Sequence, residues 1–193
     1  MIQSRIQSRG LEWVFTPNDF LDLGSRTAVG LALMRHLRAK SIRKLSRGLY
    51  DYPRSDPSLG LLPPSTDAIA QALKGRDDFR IQVSGAHAAH QLGLCEQVPV
   101  RTVYLTDGRA RKVQIGKRQI IFKRASTRQL ATAGEISGTV IQALRWLGRP
   151  HIGSEVVEAL RKRLSAEDKQ RLQKDIRYAP AWIAEIIRKI AAN

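Results

Sequence analysis

The residues of this sequence that are most suggestive of a binding site form a basic cluster in its first quarter. Six cationic side chains fall within thirteen residues: Arg35, Arg38, Lys40, Arg43, Lys44 and Arg47. They surround an apolar seam and lead into a run with two tyrosines. Guanidinium groups bind phosphate oxygens and can pair bidentately with guanine, while an ammonium group neutralises phosphate as a point charge. The cluster therefore predicts either one solvated face or a surface that contacts phosphates.

Composition restricts the partners that such a surface can meet. Lys and Arg number 33 against 17 Asp and Glu, which gives a net charge of +16 and an isoelectric point near 10.9. This excess favours nucleic acid, or an acidic protein partner. No apolar run approaches the roughly 18 residues of a membrane span, and the N-terminus lacks the apolar region of a signal peptide. Since the lone Cys95 also fits a reducing compartment, we expect a cytoplasmic protein with no membrane contact.

Helix start signals precede the basic cluster and indicate how it is positioned. Thr16 and Pro17 are typical of an N-cap and a first helical residue, and this helix is expected to end at Gly24. Ser25 can cap a second helix. Its inward face is formed by Val29, Leu33, His36 and Leu37. The alternating run at 42–51 then predicts a β-hairpin. Helix, tight turn, second helix and basic hairpin is the order of a winged helix-turn-helix.

In that fold the second helix enters the major groove of DNA. The predicted DNA contacts are Ser25, Arg26, Thr27, Leu31, Arg35, Arg38, Arg43, Lys44 and Arg47. Arg35 and Arg38 suit phosphate or guanine, and Leu31 and Met34 can touch a thymine methyl group. The three basic residues of the hairpin would contact flanking phosphates or the minor groove. The alternative is a solvated basic helix and hairpin without a ligand. Helix spacing, hairpin position and net charge together favour DNA.

A proline-rich segment divides the chain. The stretch YPRSDPSLGLLPPS, residues 52–65, holds four of the eight prolines and predicts a linker. We therefore expect a winged helix-turn-helix at 1–53, a linker at 54–65 and a second domain at 66–193. In the second domain, short helices and strands are expected to precede four helices from about residue 135. The predicted fold class is α+β, with a C-terminal α+β domain that ends in a helical bundle.

Four segments carry a resemblance to a known family. They are the stretch from Val14 to Pro53, SGAHAAHQLGL, VYLTDGRARKVQIG and the C-terminal APAW. Together they resemble the AbiEi-type antitoxins of type IV toxin–antitoxin systems. The resemblance implies a winged helix that represses its own operon by binding double-stranded operator DNA. It also implies a C-terminal domain that neutralises a nucleotidyltransferase-like toxin, and a dimer on DNA is compatible with it. One departure is Gly30-Leu31, where similar sequences carry polar residues, and this bears on operator preference or on the assigned rotation of the helix.

A second basic segment covers residues 101–128, with nine Lys and Arg against one Asp. Its candidate binding residues are Arg109, Arg111, Lys112, Lys117, Arg118, Lys123 and Arg124. They lie on or beside predicted strands and alternate with apolar residues. Three interpretations stay open: the solvent face of a sheet, a second nucleic-acid contact, and a docking surface for an acidic toxin. Like charges at this density repel, so a neutralising partner is expected.

Signals for catalysis or metal binding are weak. His87 and His90 with Cys95 lack the further cysteines or carboxylates of a zinc set, and we interpret them as core or interface residues. The sequence has no Walker loop, dinucleotide fingerprint or pair of catalytic carboxylates. We therefore expect a protein that is not an enzyme and uses no cofactor or metal. Two competing hypotheses are a stand-alone DNA-binding regulator without a toxin, and a nucleic-acid-processing enzyme.

Overall fold

The computed structural model describes residues 1–77, 79–97, 99 and 101–192. Helices and β-sheets are both present, so the α+β class is confirmed. The chain forms two compact units, Met1–Asp78 and Phe79–Asn193. The sequence prediction assigns the helix Thr66–Asp77 to the second domain. In the structure this helix belongs to the first unit, where it packs against the strand Val14–Phe15.

The first unit alternates short helices with short strands. Its helices are α1 (Ile2–Arg9), α2 (Arg26–Arg38) and α3 (Thr66–Asp77), and a 3-10 turn covers Pro17–Phe20. Its strands are β1 (Val14–Phe15), β2 (Arg43–Ser46), β3 (Leu49–Asp51), β4 (Ser55–Asp56) and β5 (Gly60–Leu61). One antiparallel sheet has the order β1-β3-β2. The other two strands form a hairpin within the expected linker.

Polar caps fix where the helices of this unit begin. The Asp19 carboxylate accepts a hydrogen bond from the backbone N–H of Thr16 at 2.7 Å, and the two residues form a capping box at the 3-10 turn. At the start of α2 the Ser25 hydroxyl accepts from the backbone N–H of Ala28 at 3.3 Å. These side chains satisfy N–H groups that have no partner inside a helix. The N-caps predicted at Thr16 and Ser25 are confirmed.

An aromatic and aliphatic core holds the first unit together. The fully buried cluster comprises Ile6, Phe15, Phe20, Val29, Leu33 and Ile42. Phe15 and Phe20 meet edge to face with ring centroids 5.4 Å apart, and Trp13 lies 4.7 Å from Phe15. Burial of each large side chain stabilises the fold by about 1.5–3 kcal/mol. Because α2 contributes Val29 and Leu33, this packing sets the rotation of the helix about its axis.

The second unit combines a four-stranded sheet with helices. Its strands are β6 (Ile81–Ser84), β7 (Arg101–Thr106), β8 (Arg111–Ile115) and β9 (Arg118–Arg124). Its helices are α4 (Ala86–Gln91), α5 (Ile136–Leu147), α6 (Ser154–Arg163), α7 (Ala166–Lys174) and α8 (Ala181–Ala191). The sheet order is β6-β7-β9-β8, with β7 parallel to β9 and the other pairs antiparallel. The strand that follows β7 in sequence therefore lies at the edge.

Four α-helices follow residue 135 in the described part of the chain, as expected, and they pack on one another. Ser165 and Asp168 form a capping box at the start of α7. The last helix, α8, packs against α6 and α7 and buries Ile183, Ile187 and Ile190. Within the described ranges, no helix combines the length and apolar character needed to cross a membrane.

Candidate nucleic-acid interface

The outward face of α2 carries the side chains that the sequence assigns to DNA. Core packing of Val29 and Leu33, each 1% exposed, turns the opposite side of the helix to solvent. The residues of that outward side are Thr27, Leu31, Met34, Arg35 and Arg38, all exposed. They recur at helical spacing and so form one stripe along α2. Ser25 and Arg26 are also exposed at the N-terminal end of the helix.

The exposed cations of α2 and of the β2–β3 hairpin have no ion-pair partner among the described residues, whereas other arginines of the first unit do. Asp22 is bound by Arg5 at 2.6 Å, and this hydrogen bond lowers the pKa of the Asp22 carboxyl. Glu12 lies 3.8 Å from Arg54. The ion pairs among the described residues include none with Arg26, Arg35, Arg38, Lys44 or Arg47. The positive potential of these side chains is therefore not cancelled by a neighbouring carboxylate and can attract phosphate.

The hairpin β2–β3 presents two of its three basic residues to solvent. Lys44 and Arg47 are exposed, and the chain reverses at Gly48 with φ +70°, a conformation that favours glycine. The strand register shifts between Lys44 and Ser46, which is a β-bulge or irregularity. Lys44 and Arg47 are therefore accessible to a ligand from solvent.

Arg43, the third basic residue of the hairpin, is engaged inside the fold. Its Nη2 donates to Asp51 Oδ2 at 2.6 Å and to the Leu62 carbonyl at 2.8 Å, and its Nε donates to Asp51 Oδ1 at 3.1 Å. The side chain of Asp51 is only 1% exposed. Because the Arg43 guanidinium donates hydrogen bonds to both oxygens of a buried carboxylate, it is not available to bind DNA phosphates. We therefore remove Arg43 from the predicted phosphate contacts and assign it a structural role.

The second basic segment does not form one surface. Strand pairing places Lys112 and Lys123 on one face of the sheet, with Ile121 directly across from Lys112. Arg111 lies on the other face, stacked on Phe79 and Phe122 with its guanidinium carbon 5.2 Å and 5.1 Å from the ring centroids. Such cation–π contacts belong to the core of the unit, so Arg111 leaves the predicted binding set.

The other four residues of that segment are exposed in different places. Arg118 and Arg124 are at the two ends of β9, on the same face as Arg111 by register. Lys117 lies in the turn before β9, and Arg109 in the loop after β7. Asp107, in the same loop, accepts a hydrogen bond from the Arg80 guanidinium at 2.8 Å, and this bond lowers the pKa of the Asp107 carboxyl. The one acidic residue of the segment is thus already paired.

Sequence reasoning missed Arg101 as part of the sheet surface. Parallel pairing with β9 sets Arg101 across from Gln119, on the face that also carries Lys112 and Lys123. All three cations are exposed, and half-buried Val103 and Ile121 lie among them. The signal was absent from the sequence because β7 and β9 are separated by β8 along the chain. This face of the sheet is the candidate docking surface of the second unit.

The histidines show no arrangement for metal binding. His87 is buried in α4 and its Nε2 lies 3.5 Å from Gln91 Nε2, while the rings of His87 and His90 are 6.4 Å apart. Across the described part of the chain, no three side chains of His, Cys, Asp or Glu gather where they could hold a metal ion.

Comparison with known proteins places the chain in a family. The fold is a mixed α+β architecture of two units, and its N-terminal unit carries the exposed basic helix and hairpin. The model of a family of unknown function, DUF6088, matches residues 1–172, and the chain belongs to this family. No curated protein matches it. Among solved structures, the chain is similar to the RV2827C protein from Mycobacterium tuberculosis, with 15% identity, a TM-score of 0.45, and coverage of 94% of this chain and 73% of that chain.

Proposed function

We propose that the first unit is a winged helix-turn-helix that binds double-stranded DNA. Its element order, α1, β1, 3-10 turn, α2, β2 and β3, supports the proposal, as does the β1-β3-β2 sheet, in which the basic strand β2 lies at the edge. The observation that carries the proposal is the exposed stripe of α2, whose arginines have no acidic partner among the described residues and are followed in sequence by the exposed cations of the hairpin.

In this proposal, separate parts of the surface have separate tasks. Ser25, Arg26 and Thr27 lie where the helix N-terminus favours phosphate. Arg35 and Arg38, further along α2, reach base edges or the opposite strand. Lys44 and Arg47 on the hairpin contact flanking phosphates. Phosphate contacts supply affinity and orientation, while base contacts supply sequence preference.

Within this proposal the chain represses its own operon and acts as the antitoxin of a type IV-like toxin–antitoxin pair. The support is the AbiEi-type resemblance together with the positive charge of the second unit. Residues 79–193 contain 21 Lys and Arg but only 9 Asp and Glu. A nucleotidyltransferase-like toxin with an acidic surface would meet the face with Arg101, Lys112 and Lys123. The alternative is a stand-alone DNA-binding regulator, which uses the first unit in the same way. Neither function requires catalysis.

A binding titration tests the DNA proposal. The full chain is titrated into a labelled duplex that carries the sequence upstream of its own gene, and into a scrambled duplex of the same composition, at one salt concentration. We expect the upstream duplex to bind about 10³-fold or more tightly, the usual ratio for a specific regulator. Absence of binding to both duplexes would contradict DNA binding, and equal affinity would contradict the role as an operator-specific repressor.

Co-expression tests the antitoxin proposal separately. The product of the adjacent gene is induced with and without this chain, and growth is recorded. We expect a growth defect that this chain relieves, and we expect the Lys44→Ala/Arg47→Ala variant to relieve it as well because the hairpin contacts DNA. A neighbour that is not nucleotidyltransferase-like, or a defect that this chain leaves unchanged, would favour the stand-alone regulator.

A further inference from the structure

We infer that Leu31 and Met34 read the 5-methyl groups of thymine in the major groove, so that thymines on neighbouring base pairs define the preferred DNA site. This inference rests on the proposed DNA binding and adds the chemical feature of the ligand that α2 recognises.

The two side chains are exposed, in contrast to the apolar residues on the other side of the helix. Leu31 is 58% exposed and Met34 is 49% exposed, whereas Val29 and Leu33 of the same helix are each 1% exposed. Water contact with two large apolar groups is unfavourable by an amount that grows with their area. Because they stand three residues apart, their Cβ atoms are about 5–6 Å from each other and form one apolar spot.

The surroundings of this spot select its partner. Arg35 and Arg38 flank it on α2, Arg26 lies at the N-terminal end, and no ion pair among the described residues neutralises them. An apolar protein surface would have to bury these guanidinium groups without partners, which is unfavourable. Duplex DNA supplies phosphates for the arginines and, in the thymine methyl, the apolar group of the major groove. Charge complementarity therefore favours thymine-containing DNA as the partner of this apolar spot.

The spacing of the pair fits neighbouring base pairs. Residues three apart differ by about 4.5 Å along a helix axis, while successive base pairs are about 3.4 Å apart. Gly30, beside Leu31, adds no side chain, and a Cβ built there would meet nothing within 4 Å inside the protein. The backbone of α2 can therefore approach the groove closely at this point, which brings Leu31 within reach of a methyl group.

Uracil substitution tests the inference because deoxyuridine differs from thymidine in a duplex only by the 5-methyl group. Duplexes are first selected by the full chain from a random-sequence pool, and the selected sequence is then synthesised with thymine and with uracil. We expect the uracil duplex to bind about tenfold more weakly, as for two lost apolar contacts. The Leu31→Ala/Met34→Ala variant should bind both duplexes within about twofold. Leu59→Ala, at a 76% exposed leucine on the β4–β5 hairpin, is the control and should keep the tenfold preference.

Each failure points to a different claim. A pool from which no sequence is enriched contradicts the proposed function. An enriched sequence that binds equally well with uracil contradicts this inference and leaves the proposed function standing. Equal binding together with loss of a dimer in the Leu31→Ala/Met34→Ala variant, measured by analytical ultracentrifugation, overturns the inference in favour of a second copy of the chain as the partner of the apolar spot.

Discussion

Replacement of Arg43 by alanine should destabilise the first unit rather than weaken DNA binding directly. The change removes two hydrogen bonds to Asp51, at 2.6 and 3.1 Å, and one to the Leu62 carbonyl at 2.8 Å. It leaves the Asp51 carboxylate, 1% exposed, without its cation. Loss of one partner of a fully buried pair costs about 3–5 kcal/mol. Because the Arg43 side chain is 27% exposed, we expect a loss of about 2–3 kcal/mol in the free energy of unfolding.

Urea unfolding followed by the fluorescence of Trp13 measures this loss. Trp13 packs on the core of the first unit, and a Trp146→Phe/Trp182→Phe background silences the tryptophans of the second unit. Lys44→Ala is the matched control, since Lys44 is the next residue on the strand, is exposed, and should change the free energy of unfolding by less than about 0.5 kcal/mol.

A small effect of Arg43→Ala would refute the assignment. If the loss stays within about 0.5 kcal/mol of the Lys44→Ala value while the salt dependence of DNA binding falls, Arg43 returns to the phosphate contacts. The Arg43→Ala/Asp51→Ala variant gives a further check, since removal of both charges should recover part of the lost stability.

Three further outcomes are expected. Arg35→Ala or Arg38→Ala, but not both equally, should lower the ratio of operator to scrambled-duplex affinity by about tenfold or more, since a bidentate guanine contact discriminates by about 1–3 kcal/mol; equal weakening on both duplexes would leave them only a positioning role. Gly30→Ala and Gly75→Ala, both at helical positions where an added Cβ meets nothing, should each raise the free energy of unfolding by about 0.5–1 kcal/mol. Only Gly30→Ala should also weaken operator binding, and an equal loss of operator affinity for Gly75→Ala would contradict close approach of α2 to the DNA. The pKa of Asp107 is lowered in the fold, so the Asp107 carboxylate stabilises the fold above its unfolded pKa near 3.9, and this stabilisation is lost as the pH falls through the lower folded pKa. The urea midpoint of Asp107→Asn should therefore fall less steeply with decreasing pH than the midpoint of the native chain. Parallel plots of midpoint against pH for the two proteins would refute this.

Local signals in the sequence predict where two helical segments of the first unit start and which side of α2 is buried, but not where each segment ends, since the helix expected to end at Gly24 is a 3-10 turn over Pro17–Phe20. The Thr16-Pro17 pair and Ser25 predict where its helical segments start, and both positions cap as expected. The apolar seam predicts which side of α2 is buried, because only one face of a helix can meet the core. The exposed positions of Leu31 and Arg35 follow from that rotation without any knowledge of the fold.

Contacts that depend on strand pairing could not be predicted from local sequence signals. Arg43 and Asp51 lie directly across from each other in the hairpin, and this pairing depends on a register that shifts between Lys44 and Ser46. One residue of slip reverses the direction of a side chain on a strand, so the sequence did not indicate that Arg43 holds a buried carboxylate. Arg111 was misplaced for a similar reason, since its stacking on Phe122 depends on the pairing of β8 with β9.

The salt dependence of DNA binding tests the central claim, that the basic helix and hairpin of the first unit meet DNA phosphates. The affinity of the full chain for its upstream duplex is measured across a salt series, for the native chain and for Lys44→Ala/Arg47→Ala. Each phosphate contact contributes about 0.9 to the slope of log affinity against log salt, so the variant should lose nearly two from the magnitude of the slope. Lys162→Ala/Lys174→Ala, which removes two exposed charges from the second unit, should keep the native slope. An unchanged slope for Lys44→Ala/Arg47→Ala, or an equal decrease for both variants, would contradict the claim.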